Sequence, residues 1–254
     1  MTRSRRVGIL GGTFDPVHCG HLDAGAAAQA ALGLGEVLVL PSNIPPHRPQ
    51  PQASAYHRFA MVALAIAGRA DWRALDLELR EGARSYTSDT LERLHAEGFG
   101  ATELFFIAGA DAFVEIPTWK NYPSLLDLAH FVVVSRPGVP FAGLPARSRT
   151  ASATASAFAD ASAFAEASTD KPADNPGDET ADKTMVFLID AVTADVSSTA
   201  IRRCRARGES IAGMVPPAVE WHIDHHGLYE DATPMTRSGT RAIGRRAGRL
   251  HGQD

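Results

Sequence analysis

A chain of 254 residues, 44% hydrophobic and 21% charged, has an ordinary globular composition and the length for one large domain or two small ones. Its longest uncharged, fairly apolar run, residues 24–35, is too short to cross a bilayer. No apolar leader follows Met1, and two cysteines make no disulfide framework, so a reducing, cytoplasmic setting is expected. A net charge of −4 argues against a nucleic-acid binder, although residues 232–254 set five arginines against Asp254 and read as a basic, frayed tail.

In chain order, strand and helix signals alternate. Residues 7–10 (Val-Gly-Ile-Leu) form a short apolar run ending in Gly11 and Gly12, and the Ala-rich stretch 21–32 reads as a helix closed by Gly33. A second strand is expected over 37–40, an amphipathic helix over 56–67, and a half-buried strand over 72–79. A helix over 89–97, a strand over 104–107, a short helix over 124–129 and a strand over 131–134 follow. After a compositional break come a strand over 185–189 and helices over 198–207 and 217–225. Continuous apolar strands between helices indicate a parallel sheet covered on both faces. The expected fold is α/β, an open doubly wound parallel sheet, with ligands outside the carboxyl ends of the strands.

The break spans about 139–183. Every odd position from Ala151 to Ala167 is alanine, and an acidic Pro/Gly stretch follows. Such composition buries too little apolar surface to fold, so it is expected to be a mostly disordered insertion in a single domain covering 1–231.

Chemistry concentrates at a few places. Gly11-Gly-Thr-Phe-Asp-Pro-Val-His-Cys-Gly-His21 follows the first strand and opens the first helix. Glycines there allow close backbone approach to a phosphate, and a helix N-terminus offers N–H groups and partial positive charge. His18 and His21, three apart, share a helix face. Cys19 points elsewhere, so a His/Cys metal site is disfavoured. Val196-Ser-Ser-Thr-Ala-Ile-Arg202 places Ser197, Ser198 and Thr199 at a helix start, with Arg202 one turn on, a second anion-binding arrangement or an ordinary Ser-capped helix. Pro41 to Arg48 is a proline-stiffened loop, and Thr87 and Asp89 are candidate helix caps. His222, His225 and His226 have metal-compatible spacing but are read as an exposed helix end closed by Gly227.

The first segment resembles the T/HxGH signature of nucleotidyltransferases. In its longer form, GGTFDPxHxGH, it is similar to bacterial nicotinate-nucleotide adenylyltransferases. The resemblance extends to the PxxxPPHK loop, with Arg48 in place of the usual lysine, and to SYTxDTL at Ser85–Leu91. It continues through GxDxxxxxxxW from Gly109 to Trp119, SRPG at Ser135–Gly138, and ISSTxIR ending at Arg202. It implies adenylyl transfer from ATP to nicotinate mononucleotide, giving deamido-NAD and pyrophosphate, with Mg²⁺ carried on the ATP phosphates rather than by a protein cage.

By the same resemblance His18, His21 and Arg202 are catalytic. Gly11, Gly12, Thr13, Phe14, Gly20, Gly109, Asp111, Ser197, Ser198 and Thr199 join them in binding ATP. Asn43, His47, Arg48, Tyr86, Thr87, Trp119 and Arg136 would bind the mononucleotide. An acceptor other than the nicotinate, a non-catalytic nucleotide-sensing module, and homo-oligomerisation stay open.

Overall fold

The structure, a computed structural model, describes residues 5–46, 49–79, 84–135, 148–152 and 183–230. Among these residues, seven parallel strands make one sheet in the order β3-β2-β1-β4-β5-β7-β6. They are β1 (Val7–Gly12), β2 (Glu36–Pro41), β3 (Trp72–Ala74), β4 (Leu104–Gly109), β5 (His130–Ser135), β6 (Ser148–Ser152) and β7 (Val186–Asp190). The helices are α1 (Cys19–Leu32), α2 (Ala55–Ile66), α3 (Thr87–Ala96), α4 (Ala110–Val114), α5 (Ser198–Ala206) and α6 (Pro217–His225).

The strand order reverses at β1, which pairs with β2 on one side and β4 on the other. Crossovers in parallel sheets are right-handed, so a reversal of direction moves the helices to the opposite face. Accordingly α1 and α2 cover one face with Leu22, Ala28, Met61 and Val62, joined by Ile201 of α5 and Val219 and Ile223 of α6. The other face is closed by Leu91 and Leu94 of α3, Phe113 of α4, and Leu125 and Leu126. Alternate residues of β1 serve the two layers, Leu10 the first and Val7 and Ile9 the second.

Several expectations need correcting. The strand expected over 72–79 ends at Ala74, and residues 77–79 form a turn. Polar–apolar alternation there does not report sheet pairing: Leu77 is buried against the second layer without a ladder partner. Residues 124–129 form a one-turn 3₁₀ helix, Ser124–Asp127. α4 and the 3₁₀ turn Ile116–Thr118 were not expected, being too short for a periodic signal. Residues 148–152, inside the expected insertion, form the edge strand β6 beside β7. The rest of that insertion and the basic tail lie outside the described residues.

Candidate active site

β1 delivers its carboxyl end, Gly11 and Gly12, to the reversal point, next to Gly109 at the end of β4. Gly12 has a packing reason as well as any phosphate-approach role: a Cβ there would lie 2.9 Å from the Phe14 ring. A Cβ on Gly11 would meet the Phe106 ring at 3.2 Å. Phe14 takes a left-handed backbone, φ 49°, and is 1% exposed. That conformation costs of order 1–3 kcal/mol for a non-glycine residue and persists only where its surroundings enforce it. Its side chain is therefore core, packed edge-on against His21 with centroids 5.0 Å apart.

α1 begins at Cys19, two residues before the expected start, with His18 as its N-cap. The His18 and His21 rings stack at 3.6 Å between centroids. The His18 backbone N–H donates to Nδ1 of His21 at 3.2 Å, which leaves the proton of a neutral His21 ring on Nε2. Burial lowers the His18 pKa to about 4, and burial together with His18 lowers that of His21 well below its ordinary value. Both rings are thus neutral in the free protein at pH 7. Nδ1 of His18 is buried with no hydrogen-bond partner among the described residues. Cys19 turns away toward the Gly213 carbonyl, as the spacing required.

The second motif closes onto the first. Ser197 caps α5, its Oγ accepting from the Ala200 N–H. The Ser198 hydroxyl donates to the Pro16 carbonyl at 2.8 Å, and Arg202 Nη1 donates to the Asp15 carbonyl at 2.6 Å. Thr199 Oγ1 accepts from the same guanidinium at 3.3 Å. Gly20 is tight against this side of the site, since a Cβ would meet the Ala194 carbonyl at 3.0 Å.

Two residues that sequence reasoning missed hold the site from behind. Arg58 of α2, 1% exposed, donates to the carbonyls of Thr13 at 2.7 Å and Asn43 at 3.0 Å, and also to those of Ser42 and Ala53. One guanidinium thereby ties the loop after β1 to the loop after β2. Asp15 accepts from the N–H groups of Gln52 and Ala53 and from the Tyr229 hydroxyl at 2.9 Å. Burial, then Asp15, raise the Tyr229 pKa, so the phenol stays a donor. A buried arginine inside a helical pattern and a tyrosine near the chain's end carry no local signal of either role.

The expected acceptor residues form a second group. Asn43 N–H donates to the Ser85 hydroxyl at 2.8 Å, and an isolated bridge joins Ile44 to Arg84. α3 starts at Thr87 with Tyr86 as N-cap and no side-chain cap, so neither Thr87 nor Asp89 caps it. Lys120 spans to this helix, 2.6 Å from Asp89 and 5.0 Å over the Tyr86 ring. Trp119, half-buried, stands edge-on to Phe106 at 6.0 Å and 85°, so Phe106 is a floor shared by Gly11 and Trp119. Asp111 is exposed in the first turn of α4. His47, Arg48 and Arg136 lie outside the described residues. At the far end of α6, His222 is buried, not exposed as expected, whereas His225 and His226 are exposed.

A Cytidylyltransferase-like family model matches residues 9–204. A protein of Desulfatibacillum aliphaticivorans named as a probable nicotinate-nucleotide adenylyltransferase is 39% identical over 225 residues, covering 88% of this chain and 99% of that one. Its namesake in Klebsiella pneumoniae is 37% identical, covering 87% and 95%. Among solved structures, Plasmodium falciparum nicotinic acid mononucleotide adenylyltransferase complexed with NaAD superposes with a TM-score of 0.61 at 17% identity, over 89% of this chain and 97% of that one. That likeness shows the shared fold. With both signature motifs folded onto one loop and relatives this similar over nearly their whole length, the chain belongs to the cytidylyltransferase-like family, among the nicotinate-nucleotide adenylyltransferases.

Proposed function

We propose that this chain transfers the adenylyl group of ATP to nicotinate mononucleotide, giving deamido-NAD and pyrophosphate. One observation carries the reading: the His18–His21 pair and Arg202, far apart in sequence, converge on the Gly11–Pro16 loop at the reversal point of the sheet. Ligands of open α/β sheets bind at such a point.

An oxygen of the mononucleotide phosphate attacks the α-phosphorus of ATP, and the bond to the pyrophosphate leaving group breaks. The reaction needs no protein nucleophile, so catalysis rests on positioning and on stabilising charge. The N–H of Gly20 in the first turn of α1, those of Ser198 and Thr199 in α5, the imidazole N–H groups of His18 and His21, and the guanidinium of Arg202 supply donors for the phosphates. Bound polyphosphate favours the protonated imidazoles, raising pKa values that burial has lowered in the free protein.

Mg²⁺ enters as part of the ATP substrate. Asp15 within the first motif and Asp23 just after it already accept hydrogen bonds from protein donors. The uncapped N-terminus of α3 at Thr87 would receive the nicotinate carboxylate, and Trp119 the pyridine ring. A cytoplasmic setting is supported by both cysteines being free thiols.

Pyrophosphate release, measured with ATP and either nicotinate or nicotinamide mononucleotide, tests the proposal. A kcat/KM preference of about 100-fold or more for the nicotinate is expected, from the roughly 1–3 kcal/mol cost of leaving a built-in polar group unpaired, or more where it is charged. Comparable values for both acceptors would refute the carboxylate pocket, and no release with either would refute the reaction.

A further inference from the structure

We propose that His57, His222 and His226 form a binding site for one divalent transition-metal ion, of which zinc is the type, clipping α2 to α6. His222 lies on α6 and His226, one turn later, caps its C-terminus. His57 lies on α2, 165 residues before His222 in sequence. The three rings nevertheless face one point. His57 Nδ1 is 3.1 Å from His222 Nε2, and one ring nitrogen from each histidine falls within 4.8 Å of the others. Ring centroids are 4.4 Å apart for His222 and His226 and 4.8 Å for His57 and His226.

Tetrahedral zinc with nitrogen ligands at about 2.0–2.1 Å sets those nitrogens roughly 3.3 Å apart. One pair is already at that spacing, and small ring rotations bring in the third. A donor set of imidazoles alone suits zinc, nickel or copper and not the oxygen-seeking Mg²⁺ or Ca²⁺. His226 is exposed, so a fourth position stays open to water.

The location gives the site a purpose. His57 immediately precedes Arg58, which holds the Thr13, Ser42 and Asn43 carbonyls. Tyr229, three residues beyond His226, donates to Asp15. A metal here would fasten both supports of the Gly11–Pro16 loop to each other without touching a reacting atom. The site is independent of the proposed reaction.

The test uses the full-length, tag-free protein stripped with a chelator, titrated with Zn²⁺ alone by calorimetry and with Co²⁺ alone by visible absorption. One equivalent is expected, with the intense d–d bands of four-coordinate cobalt and a Tm that rises with metal concentration by mass action. His57→Gln and His226→Gln should each weaken binding by about 100-fold or more, beyond the roughly 10–100-fold seen when a mere outer partner of a metal ligand is lost. X-ray absorption of the zinc-loaded wild type, which needs no variant, should count three imidazole ligands. Absence of binding, binding unchanged in both variants, or sulfur in the zinc shell would each overturn the proposal.

Discussion

The Tyr229 hydroxyl donates to the Asp15 carboxylate at 2.9 Å, joining residues 214 positions apart. Asp15 in turn fixes the N–H groups of Gln52 and Ala53, while its own carbonyl accepts from Arg202. A tyrosine just beyond α6 thus helps set the loop on which both signature motifs meet. Tyr229→Phe removes one donor from a buried carboxylate. A loss of about 1–3 kcal/mol in urea unfolding is expected, the range for leaving a buried polar group short of a partner. The KM for ATP should rise more than kcat falls, because the phenol positions the loop and does not meet the reacting atoms. Unchanged stability would show that the bond is not maintained.

Arg58 makes a larger prediction. Arg58→Met takes this charged donor away from the Thr13, Ser42 and Asn43 carbonyls. A cost of about 3 kcal/mol or more follows from several partly buried acceptors losing a charged donor. At roughly 2–4 °C per kcal/mol for a chain of this size, Tm should fall by about 6–12 °C. Arg58→Lys should recover little, since a point ammonium cannot reproduce the fork that reaches several carbonyls. A lysine variant with wild-type Tm would contradict the clamp.

At the reaction centre, His21→Ala and Arg202→Ala should each lower kcat by about 10²–10³, the scale of losing one preorganised transition-state donor. His18→Ala should do the same and also lose stability, because the ring is 7% exposed and packed on His21. Single-turnover kinetics at saturating ATP separate this from weakened binding. Near-wild-type turnover in the His21 and Arg202 variants would remove them from the catalytic assignment.

Acid should destabilise the free protein through its buried histidines. Burial lowers the pKa of both His18 and His130 to about 4 from the ordinary 6.5. Between those values the unfolded chain binds a proton at each histidine and the folded chain does not. Stability is therefore full above pH 6.5 and falls as pH drops toward 4, by on the order of 3 kcal/mol per histidine. In His130→Asn the amide oxygen can still accept the Met185 N–H that Nδ1 now takes at 2.9 Å. Urea midpoints measured from pH 7 to pH 4.5 should show a shallower decline in this variant. An identical decline would mean that His130 is protonated in the folded state.

Much of this molecule was legible in order of residues. The apolar runs at 7–10, 104–107 and 131–134, short and bounded by turn residues, read as buried strands, and the glycines, histidines and capping serines announced phosphate chemistry because local backbone conformation and helix-end electrostatics depend on neighbours in the chain. The helix start at Ser197–Thr199 and the closeness of His18 to His21 follow from spacing, whereas the stacking of the two rings is set by their burial. What spacing could not reach was any pairing across the fold. Arg58 looks like one more polar residue in a helical pattern until packing buries it under two loops, and Tyr229 becomes a donor to Asp15 only when α6 lies on the first layer. His222 was read as an exposed helix end because its partner, His57, is on another helix. Local signals are written in dihedral preferences and periodicity, whereas these contacts exist only after burial removes water and brings distant segments within hydrogen-bond reach.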